Sequence, residues 1–276
     1  MQEGIRVDRR VALVTGASSG VGFETASLLA ARGYRTFGTS REPENSPRPK
    51  GVEMLKLDVR FDDNARGVVD DIHQREGRLD ILINNAGFGL FGGIEETSLD
   101  EAREQFETNF WGAVRLIANV LPHMRERRSG CIVNISSVLG FIAAPFQGFY
   151  VASKHALEGY SETLSLEVRQ FGIHVVLIEP SSISTSFVEH HRDANLRLAP
   201  YTVERDRVLA ILSDRIHHGS HPKVVARRVL SAIRASDPDV RYTAGSGSGL
   251  LKVARSILPT NLFDRAVRKT FALDQR

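Results

Sequence analysis

Short apolar runs alternate with longer amphipathic segments along most of this chain. The runs are rich in valine, isoleucine and leucine and are bounded by glycine or polar residues, a pattern typical of buried β-strands. We predict seven strands: Arg10–Thr15, Arg35–Ser40, Val52–Leu57, Leu79–Ile83, Gly130–Ile135, His174–Glu179 and Val240–Ala244. Apolar residues recur at helical spacing in five segments: 21–33, Phe61–Glu76, Ser98–Arg127, Tyr150–Phe171 and Val224–Ala235. Strands alternating with helices predict an α/β protein with a doubly wound, mostly parallel sheet and helices on both faces.

The segments outside this alternation indicate how the chain is organised. Its 276 residues suit one large domain better than two small ones. We assign residues 1–249 to that domain and interpret 181–220, which are irregular and partly helical, as a lid over the cleft. Residues 250–276 alternate apolar side chains with Lys and Arg, and predict a C-terminal amphipathic helical tail.

Charge and cysteine content exclude several classes of protein. The net charge of +3 comes from 36 basic residues scattered among 33 acidic ones, so we expect no nucleic-acid partner. No run of 18 apolar residues occurs, which argues against an integral membrane segment. Residues 1–6 lack the apolar core of a signal peptide. The single cysteine, Cys131, excludes an internal disulfide and suits a reducing compartment, so we expect a cytoplasmic protein.

A glycine-rich turn follows the first predicted strand directly. It reads Gly16-Ala17-Ser18-Ser19-Gly20-Val21-Gly22 and opens a helical segment. Glycines let the backbone approach a pyrophosphate closely, and a helix N-terminus offers it free N–H donors. A tight strand-to-helix turn without a ligand is the alternative. Because strand, glycine turn and helix occur in this order, we expect a dinucleotide site.

The ends of the second and third strands carry the residues that we expect to select the cofactor. Arg41 follows Ser40 where an NAD-preferring site would place an acid, and an arginine there can pair with the 2′-phosphate of NADP. We therefore expect NADP(H), with NAD(H) less favoured. Asp58, followed by Val59, could accept a hydrogen bond from an adenine amino group, and a helix N-cap is the alternative for this carboxylate.

Two further polar groups follow predicted strands. Asn84-Asn85-Ala86-Gly87 leaves a buried strand, and its asparagines must find partners in the backbone of the loop or of a neighbouring strand, or in a ligand. Tyr150 and Lys154 lie four residues apart on a predicted helix and so share one face. An ammonium stabilises a phenolate usefully only in a partly dehydrated cleft. Taken alone, an exposed Tyr and Lys on an amphipathic helix would be the simpler interpretation.

All of these groups lie past the carboxyl end of a predicted strand or on the helix that follows, where ligands bind in open α/β sheets. Together they resemble the short-chain dehydrogenase/reductase family across residues 10–244. The resemblance rests on Thr15-Gly16-x-x-x-Gly20-x-Gly22, Asn84-Asn85-Ala86-Gly87, Asn109, Ser137 and Tyr150-x-x-x-Lys154. It implies a single Rossmann-type domain, a nicotinamide cofactor, and hydride transfer between a ketone or aldehyde and an alcohol.

The resemblance also implies a role for each matching residue. Tyr150 is expected to act as general acid in reduction and general base in oxidation, while Lys154 lowers its pKa and holds the nicotinamide ribose. Ser137, rather than Ser136, is expected to polarise the substrate oxygen, and Asn109 to hold a water that links Lys154 to solvent. The expected cofactor contacts are Gly16, Ser18, Ser19, Gly20, Val21, Gly22, Arg41, Asp58, Val59, Asn85, Ala86, Gly87, Tyr150, Lys154, Pro180, Ile183 and Thr185. One departure is Ser181, where the family usually has glycine after the proline.

Apolar residues surround the expected catalytic group. They include Leu90 and Phe91 after the fourth strand and several residues of the loop Phe141–Phe149. We expect Phe146 and Phe187 to contact the substrate together with Ser137 and Tyr150. Such a pocket favours a bulky apolar ketone or alcohol, although some of these residues would equally serve as core. The stretch 138–167 is similar to that of hydroxysteroid and retinol dehydrogenases.

Alternatives to an NADP-dependent oxidoreductase come from two other classes of protein. One is a nucleotide-binding sensor or scaffold with the same fold and no turnover. The other is a protein that binds membranes through its basic amphipathic tail, for which packing of the tail on the body or on a neighbouring subunit is the alternative. The pairs His190-His191 and His217-His218 have no carboxylate or cysteine at metal-ligand spacing, so we expect no metal. The resemblance implies a homodimer or homotetramer formed through the helices that contain Asn109 and Tyr150.

Overall fold

The computed structural model describes residues 9–185 and 191–273. The strands are β1 (Val11–Val14), β2 (Arg35–Ser40), β3 (Val52–Lys56), β4 (Ile81–Asn84), β5 (Leu90–Phe91), β6 (Gly130–Ile135), β7 (Ile173–Pro180), β8 (Arg192–Asp193) and β9 (Arg241–Ala244). Seven of them form one sheet in the order β3-β2-β1-β4-β6-β7-β9, and every pair in it is parallel. The predicted doubly wound sheet is therefore confirmed. The two-residue strands β5 and β8 pair separately and were not predicted.

Helices connect the strands and cover both faces of the sheet. They are α1 (Gly20–Ala31), α2 (Asp62–Glu76), α3 (Leu99–Phe106), α4 (Gly112–Glu126), α5 (Gly148–Val168), α6 (Thr202–His217), α7 (Lys223–Arg234), α8 (Ser248–Ile257) and α9 (Thr260–Thr270). Buried residues of α2, α4 and α5 pack on one face of the sheet, and those of α1 and α7 pack on the other. Central strands such as β4 and β6 are thus buried on both sides, which explains their continuous apolar runs.

The direction in which successive strands are added to the sheet reverses next to β1. This strand pairs with β2 on one side and with β4 on the other, so the sheet extends in opposite directions from the two strands. The carboxyl ends of β1 and β4 diverge into loops at this point, which makes a crevice for a ligand in folds of this type. Thr15 and Gly16 follow β1, and Asn85 follows β4, so the two predicted motifs meet there.

The helix predicted over Ser98–Arg127 is interrupted. Ser98 and Glu101 form a capping box at the start of α3, but a π-helical turn, Glu107–Trp111, separates α3 from α4. Each π turn inserts one residue into the helical repeat, and such turns occur frequently at functional sites. Asn109 lies inside this turn and is buried.

The segment interpreted as a lid contains the 16-residue helix α6 and is fastened to the body by a buried ion pair. Arg205 of α6 donates to the carboxylate of Glu96, which also accepts hydrogen bonds from the backbone N–H groups of Gly93 (2.9 Å) and Leu198 (2.8 Å). These bonds and the charge of Arg205 outweigh burial and lower the pKa of Glu96. The segment interpreted as a lid is therefore anchored through the Glu96 carboxylate, both of whose oxygens accept hydrogen bonds.

The tail packs on the body. Phe271 at the end of α9 is buried against Ala144 and Val208, and Phe263 is also buried. The helix α8 begins at Ser248, two residues before the predicted start of the tail at residue 250, and the division into a body and a tail stays a prediction. In the described part of the chain, no helix combines the length and the apolar character needed to cross a bilayer.

Candidate active site

The glycine-rich turn between β1 and α1 leaves no room for side chains. Gly16 and Gly20 have φ values of +63° and +53°, in the left-handed region that favours glycine. A Cβ on Gly22 would lie 2.1 Å from the carbonyl oxygen of Gly16 and 2.5 Å from Nδ2 of Asn85. Because no side chains cover the backbone of this turn, a ligand can approach it closely as well.

The N-terminus of α1 faces the end of this turn without a cap of its own. Ser19 occupies the N-cap position, but its side chain forms no capping hydrogen bond, and the first turn holds no acidic residue. Its N–H groups and the positive end of the helix dipole suit a phosphate group. Ser18 and Val21 flank this site in the chain, and Thr185 lies beside it, since a Cβ on Gly20 would meet Thr185 Cγ2 at 3.3 Å. The residues present therefore fit the pyrophosphate of a dinucleotide.

Thr15 joins the glycine turn to the loop after β4. Its hydroxyl oxygen accepts hydrogen bonds from the backbone N–H groups of Asn85 and Ala86, each at 2.9 Å. In return, Nδ2 of Asn85 donates to the carbonyl oxygens of Thr15 at 2.9 Å and Gly16 at 3.2 Å. Asn85 thus binds loop backbone as predicted. The role of Thr15 was missed, although a hydroxyl at the end of an apolar strand was a signal for it.

Asn84 has a partner that the sequence reasoning did not identify. Its Nδ2 donates to Oδ1 of Asn134 on β6 at 2.8 Å, and Nδ2 of Asn134 donates to the hydroxyl of Ser161 on α5 at 2.8 Å. This chain of buried side chains ties two central strands to the helix that carries Tyr150. The sequence feature that could have indicated this contact was Asn134 itself, a polar residue inside an otherwise apolar strand.

Arg41 and Asp58 lie at the ends of neighbouring strands, β2 and β3. Asp58 is held by Arg60, which donates to its carboxylate at 2.9 and 2.7 Å. The Arg60 hydrogen bond lowers the pKa of Asp58 against the opposing effect of burial, and the charge of Arg41 adds to the lowering. Asp58 is not an N-cap, because α2 begins later, with Phe61 as its N-cap residue. Arg41 is exposed and close enough to Asp58 to act on it.

Tyr150, Ser137 and Lys154 come together above the end of β6. Ser137 follows the strand and caps a short 3₁₀ turn, where its hydroxyl oxygen accepts from the N–H of Leu139 at 3.1 Å. The phenol of Tyr150 is hydrogen-bonded to the side chain of Ser137. Lys154 lies one turn further along α5, with its Nζ 5.7 Å from the centre of the Tyr150 ring and donating to the carbonyl oxygen of Ile135 at 2.8 Å. The structure thus places Ser137, rather than Ser136, beside the phenol.

The protonation of this group differs from the expectation. We expected Lys154 to lower the pKa of Tyr150, but burial raises that pKa to about 12, and only the hydrogen bond with Ser137 acts in the lowering direction. Burial also lowers the pKa of Lys154 to about 8, against the opposing charge of Glu158. The reason lies in the geometry: the ammonium group is directed to the Ile135 carbonyl and lies against the tyrosine ring. At pH 7 Tyr150 is protonated and Lys154 is mostly charged.

Because Lys154 is charged and buried, we expect Lys154→Met to inactivate the protein while stabilising it at pH 7 by about 2 kcal/mol. The unfolded lysine has a pKa of 10.5 and the folded one a pKa of about 8, so between these values the unfolded chain binds more protons. Wild-type stability therefore recovers as the pH rises through this window, and the advantage of the variant shrinks. Urea unfolding of both proteins at pH 7 and at high pH measures this. An advantage that is absent at pH 7, or that grows at high pH, would contradict it.

Asn109 is held by hydrogen bonds next to helix α5. Its Oδ1 accepts from the N–H of Phe88 and its Nδ2 donates to the carbonyl oxygen of Phe88, both at 3.0 Å. Nδ2 also lies 3.4 Å from the hydroxyl of Ser153, which donates to the carbonyl oxygen of Tyr150 at 2.8 Å. A cavity of about 10 Å³ is lined by Asn109, Lys154 and their neighbours. This is room for about one water molecule.

The loop after β7 carries the last group of expected cofactor contacts. Pro180 ends the strand, and Ile183 is buried and pairs with Ser220. Ser181 replaces the glycine usual in the family without backbone strain, since its φ is not positive. Its hydroxyl donates to the carbonyl oxygen of Ser246 at 3.1 Å, so it ties this loop to the turn before α8.

On the substrate side, Phe146 has a φ of +57°, which is rare for a residue other than glycine and common at functional sites. Its ring packs edge-on against Tyr201 at 6.3 Å between centroids. An apolar cluster continues from it through Leu139, Val151 and the tail. Leu90 and Phe91 are buried in the small sheet, so they belong to the core. Phe187 lies outside the described residues.

A network of buried charges lies next to helix α5 and was not predicted. Arg241 of β9 donates to Glu158 of α5 and to Glu179 of β7, the latter at 2.8 Å. Lys252 of α8 donates to Glu179 at 2.9 Å. Burial raises the pKa of Glu158 to about 7, although the charges of Arg241 and Lys252 act against it. The tail thus supplies a cation to the interior, close to the helix that carries Tyr150.

Within the described residues, no cluster of His, Cys, Asp and Glu side chains could hold a metal ion. His217 and His218 contact each other edge-on, and His191 lies 3.3 Å from Asp193. His190 lies outside the described residues.

Comparisons with known proteins agree with this geometry. The family model for short chain dehydrogenases matches residues 10–196. A 3-ketodihydrosphingosine reductase of Bacteroides thetaiotaomicron is 38% identical over 96% of this chain and 98% of its own length. Human retinol dehydrogenase 8 is 36% identical over 84% of this chain and 80% of its own. The crystal structure of a short-chain dehydrogenase from Streptomyces avermitilis superposes with a TM-score of 0.81 at 33% identity, covering 95% of this chain and 99% of that one.

Proposed function

The chain belongs to the short-chain dehydrogenase/reductase family of oxidoreductases, and on this basis we propose that it interconverts a bulky apolar ketone or aldehyde and the corresponding alcohol with NADP(H). The observation that carries the proposal is the Tyr150 phenol, which is hydrogen-bonded to Ser137 and lies one helical turn before the buried Lys154. A bound nicotinamide nucleotide supplies the hydride in reduction and accepts it in oxidation.

In the direction of reduction, Tyr150 is the proton donor. Its pKa of about 12 keeps the phenol protonated at neutral pH, the form that can give a proton to a carbonyl oxygen as that oxygen becomes an alkoxide. The Ser137 hydroxyl, held next to the phenol, donates a second hydrogen bond to the same oxygen. Two fixed donors aimed at the developing negative charge lower the barrier without reorganising during the reaction.

Proton return to Tyr150 runs through Lys154. With a pKa of about 8, its ammonium can release a proton near neutral pH and take one back. The small cavity between Lys154 and Asn109 has room for about one water molecule, which would pass the proton on towards solvent. Asn109 is fixed by its two bonds to the Phe88 backbone and so keeps this path in place.

For the cofactor, we expect Arg41→Ala to lower the preference for NADPH over NADH by roughly tenfold or more, through loss of one charge-assisted contact. The Arg41 side chain is exposed and lies at the end of β2, where a 2′-phosphate would reach it. Binding constants of both nucleotides, measured by fluorescence titration, give the preference directly. Arg48→Ala, an exposed arginine in the following loop that pairs with Glu44, is the control. An unchanged preference in Arg41→Ala would remove Arg41 from this role.

The substrate class rests on the apolar cluster near Tyr150 and on the relatives. Leu139, Phe146 and Val151, which lie beside Ser137 or Tyr150 in the chain, pack with Ala144, Val208 and Phe271 in this cluster. One relative is named for a ketodihydrosphingosine and another for a retinol, both bulky and largely apolar. We therefore propose a lipid-like carbonyl or alcohol, in preference to a sugar or a small acid.

Nicotinamide absorbance tests the function. Purified protein is mixed with NADPH, or separately with NADH, and with carbonyls graded from small and polar to long-chain and polycyclic. We expect NADPH oxidation that increases with the apolar size of the carbonyl. Tight NADPH binding without turnover on any carbonyl would favour the sensor or scaffold, and absence of both would overturn the proposal.

We also expect a homodimer or homotetramer, in a reducing cytoplasmic location. Trp111 and Leu166 are exposed on the two helical segments where family members associate, with 46% and 82% of their surface accessible. Apolar surface of this kind on the π turn before α4 and on α5 suits a contact with a second copy. Light scattering after size-exclusion chromatography gives the mass, and a monomer would contradict the expectation.

A further inference from the structure

Helix α8 exposes three apolar side chains, whereas one of its charged side chains points inward. Lys252 reaches inward to the buried Glu179, and Arg255 stacks on the ring of Phe263. Leu250, Val253 and Ile257, which lie on one face at helical spacing, are 76%, 53% and 74% exposed. A surface helix ordinarily buries its apolar face and exposes its charges. We call these three residues the apolar stripe.

A groove of about 650 Å³ lies next to this helix, between the outer face of α7 and the turn from β9 to α8. Arg227 and Arg228 line it, together with hydroxyl groups and backbone of the turn, and no carboxylate does. Both arginines are exposed, and within residues 9–185 and 191–273 neither forms an ion pair. We call this the basic groove.

The two features adjoin, because Gly249 lines the basic groove and Leu250 begins the apolar stripe. Cations with no acidic neighbour suit anionic headgroups, and exposed aliphatic side chains suit the boundary of the acyl chains. We propose that the basic groove and the apolar stripe together dock this protein on the surface of a bilayer that contains anionic lipids.

The charges favour a bilayer over a second copy of the chain. A twofold contact through this face would bring the arginines of both copies together, with no acidic residue of the groove to offset them. On α9, Arg265 and Lys269 follow the exposed Leu262 at helical spacing, which adds positive charge beside apolar surface. Neither of these cations forms an ion pair in the described part of the chain.

Flotation of the full-length protein with vesicles tests the proposal. One set contains phosphatidylcholine mixed with phosphatidylglycerol, and the other phosphatidylcholine alone. We expect binding to the mixed vesicles that falls with added salt, and little binding to the neutral ones.

Removing both groove arginines in Arg227→Gln/Arg228→Gln is expected to weaken binding about 25-fold. Leu250→Ser/Ile257→Ser, which changes two largely exposed side chains, is expected to weaken it about tenfold or more.

Matched controls distinguish binding through this surface from nonspecific effects of positive charge and of exposed apolar side chains. Lys223→Gln/Arg234→Gln removes two exposed charges from the same helix outside the groove, and Leu99→Ser removes an exposed apolar side chain on α3. We expect each to change binding less than about threefold. No binding to mixed vesicles, or an equal loss in the controls, would overturn the proposal. The proposal would also be overturned if Leu250→Ser/Ile257→Ser bound vesicles as wild type does but had a lower mass in solution. That result would assign the apolar stripe to self-association. Circular dichroism checks that each variant is folded, and none of these measurements depends on the proposed reaction.

Discussion

Tyr150→Phe is expected to lower kcat by roughly a thousandfold while NADPH binding changes little. The substitution removes one oxygen atom, and with it both the proton donor and the hydrogen bond to Ser137. The ring remains to pack beside Lys154, so the cleft keeps its shape. Because the phenol acts only as the substrate oxygen takes up charge, the loss should fall on kcat far more than on nucleotide affinity.

The same change at Tyr160 is the control. Tyr160 lies on the same helix, its ring stands edge-on to Phe110, and it is remote from Ser137. Tyr160→Phe should leave kcat within about threefold of wild type, as expected for a residue that does not contact the reacting atoms. A Tyr150→Phe variant that kept a tenth or more of the activity would remove Tyr150 from the role of general acid.

The second large effect is expected for Gly22→Ala, which should abolish measurable NADPH binding and destabilise the fold by about 3 kcal/mol. An added Cβ would lie 2.1 Å from the carbonyl oxygen of Gly16 and 2.8 Å from its carbonyl carbon, and backbone atoms cannot turn aside as a side chain can. Relief requires the turn to open or α1 to shift. Either movement disturbs the N–H groups that would hold the pyrophosphate.

Gly67→Ala provides the comparison for this glycine. Gly67 lies inside α2, and a Cβ there would meet no atom within 4 Å. This variant should bind NADPH normally and be more stable by about 0.5–1 kcal/mol, since alanine favours the helix. Isothermal titration and urea unfolding measure both quantities. Normal nucleotide binding by Gly22→Ala would show that the turn is not the phosphate site.

The sheet could be predicted because the sequence of each strand has a recognisable apolar pattern. β4 and β6 are covered on both faces, so nearly every position is apolar and the runs stand out from the amphipathic segments beside them. The small sheet of β5 and β8 could not be found this way. Each of these strands has two residues, and they pair across about a hundred positions of sequence.

Within the candidate site, the local motifs were readable and the long-range contacts were not. The glycines of the turn and the pair Tyr150 and Lys154 act at fixed spacing on one element, so spacing alone indicates them. The π turn at Asn109 and the Asn84–Asn134 pair depend on how helices and strands meet in space. The raised pKa of Tyr150 also depends on packing, because burial outweighs every nearby group that favours the phenolate.

The network of buried charges predicts an order of folding during synthesis. The carboxylates of Glu158 and Glu179 are made well before their cations, since Arg241 and Lys252 come some 60 to 90 residues later. Until those residues leave the ribosome, the helix that carries Tyr150 would have to bury negative charge without compensation, which is strongly unfavourable. Chains stalled on the ribosome before Lys252 has emerged should therefore fail to bind NADPH, although the whole glycine turn is already outside. A stalled chain of that length that bound NADPH normally would refute this order. By this prediction, Lys252 on α8 completes the fold that binds the nucleotide, although the residues expected to contact the nucleotide are all made earlier.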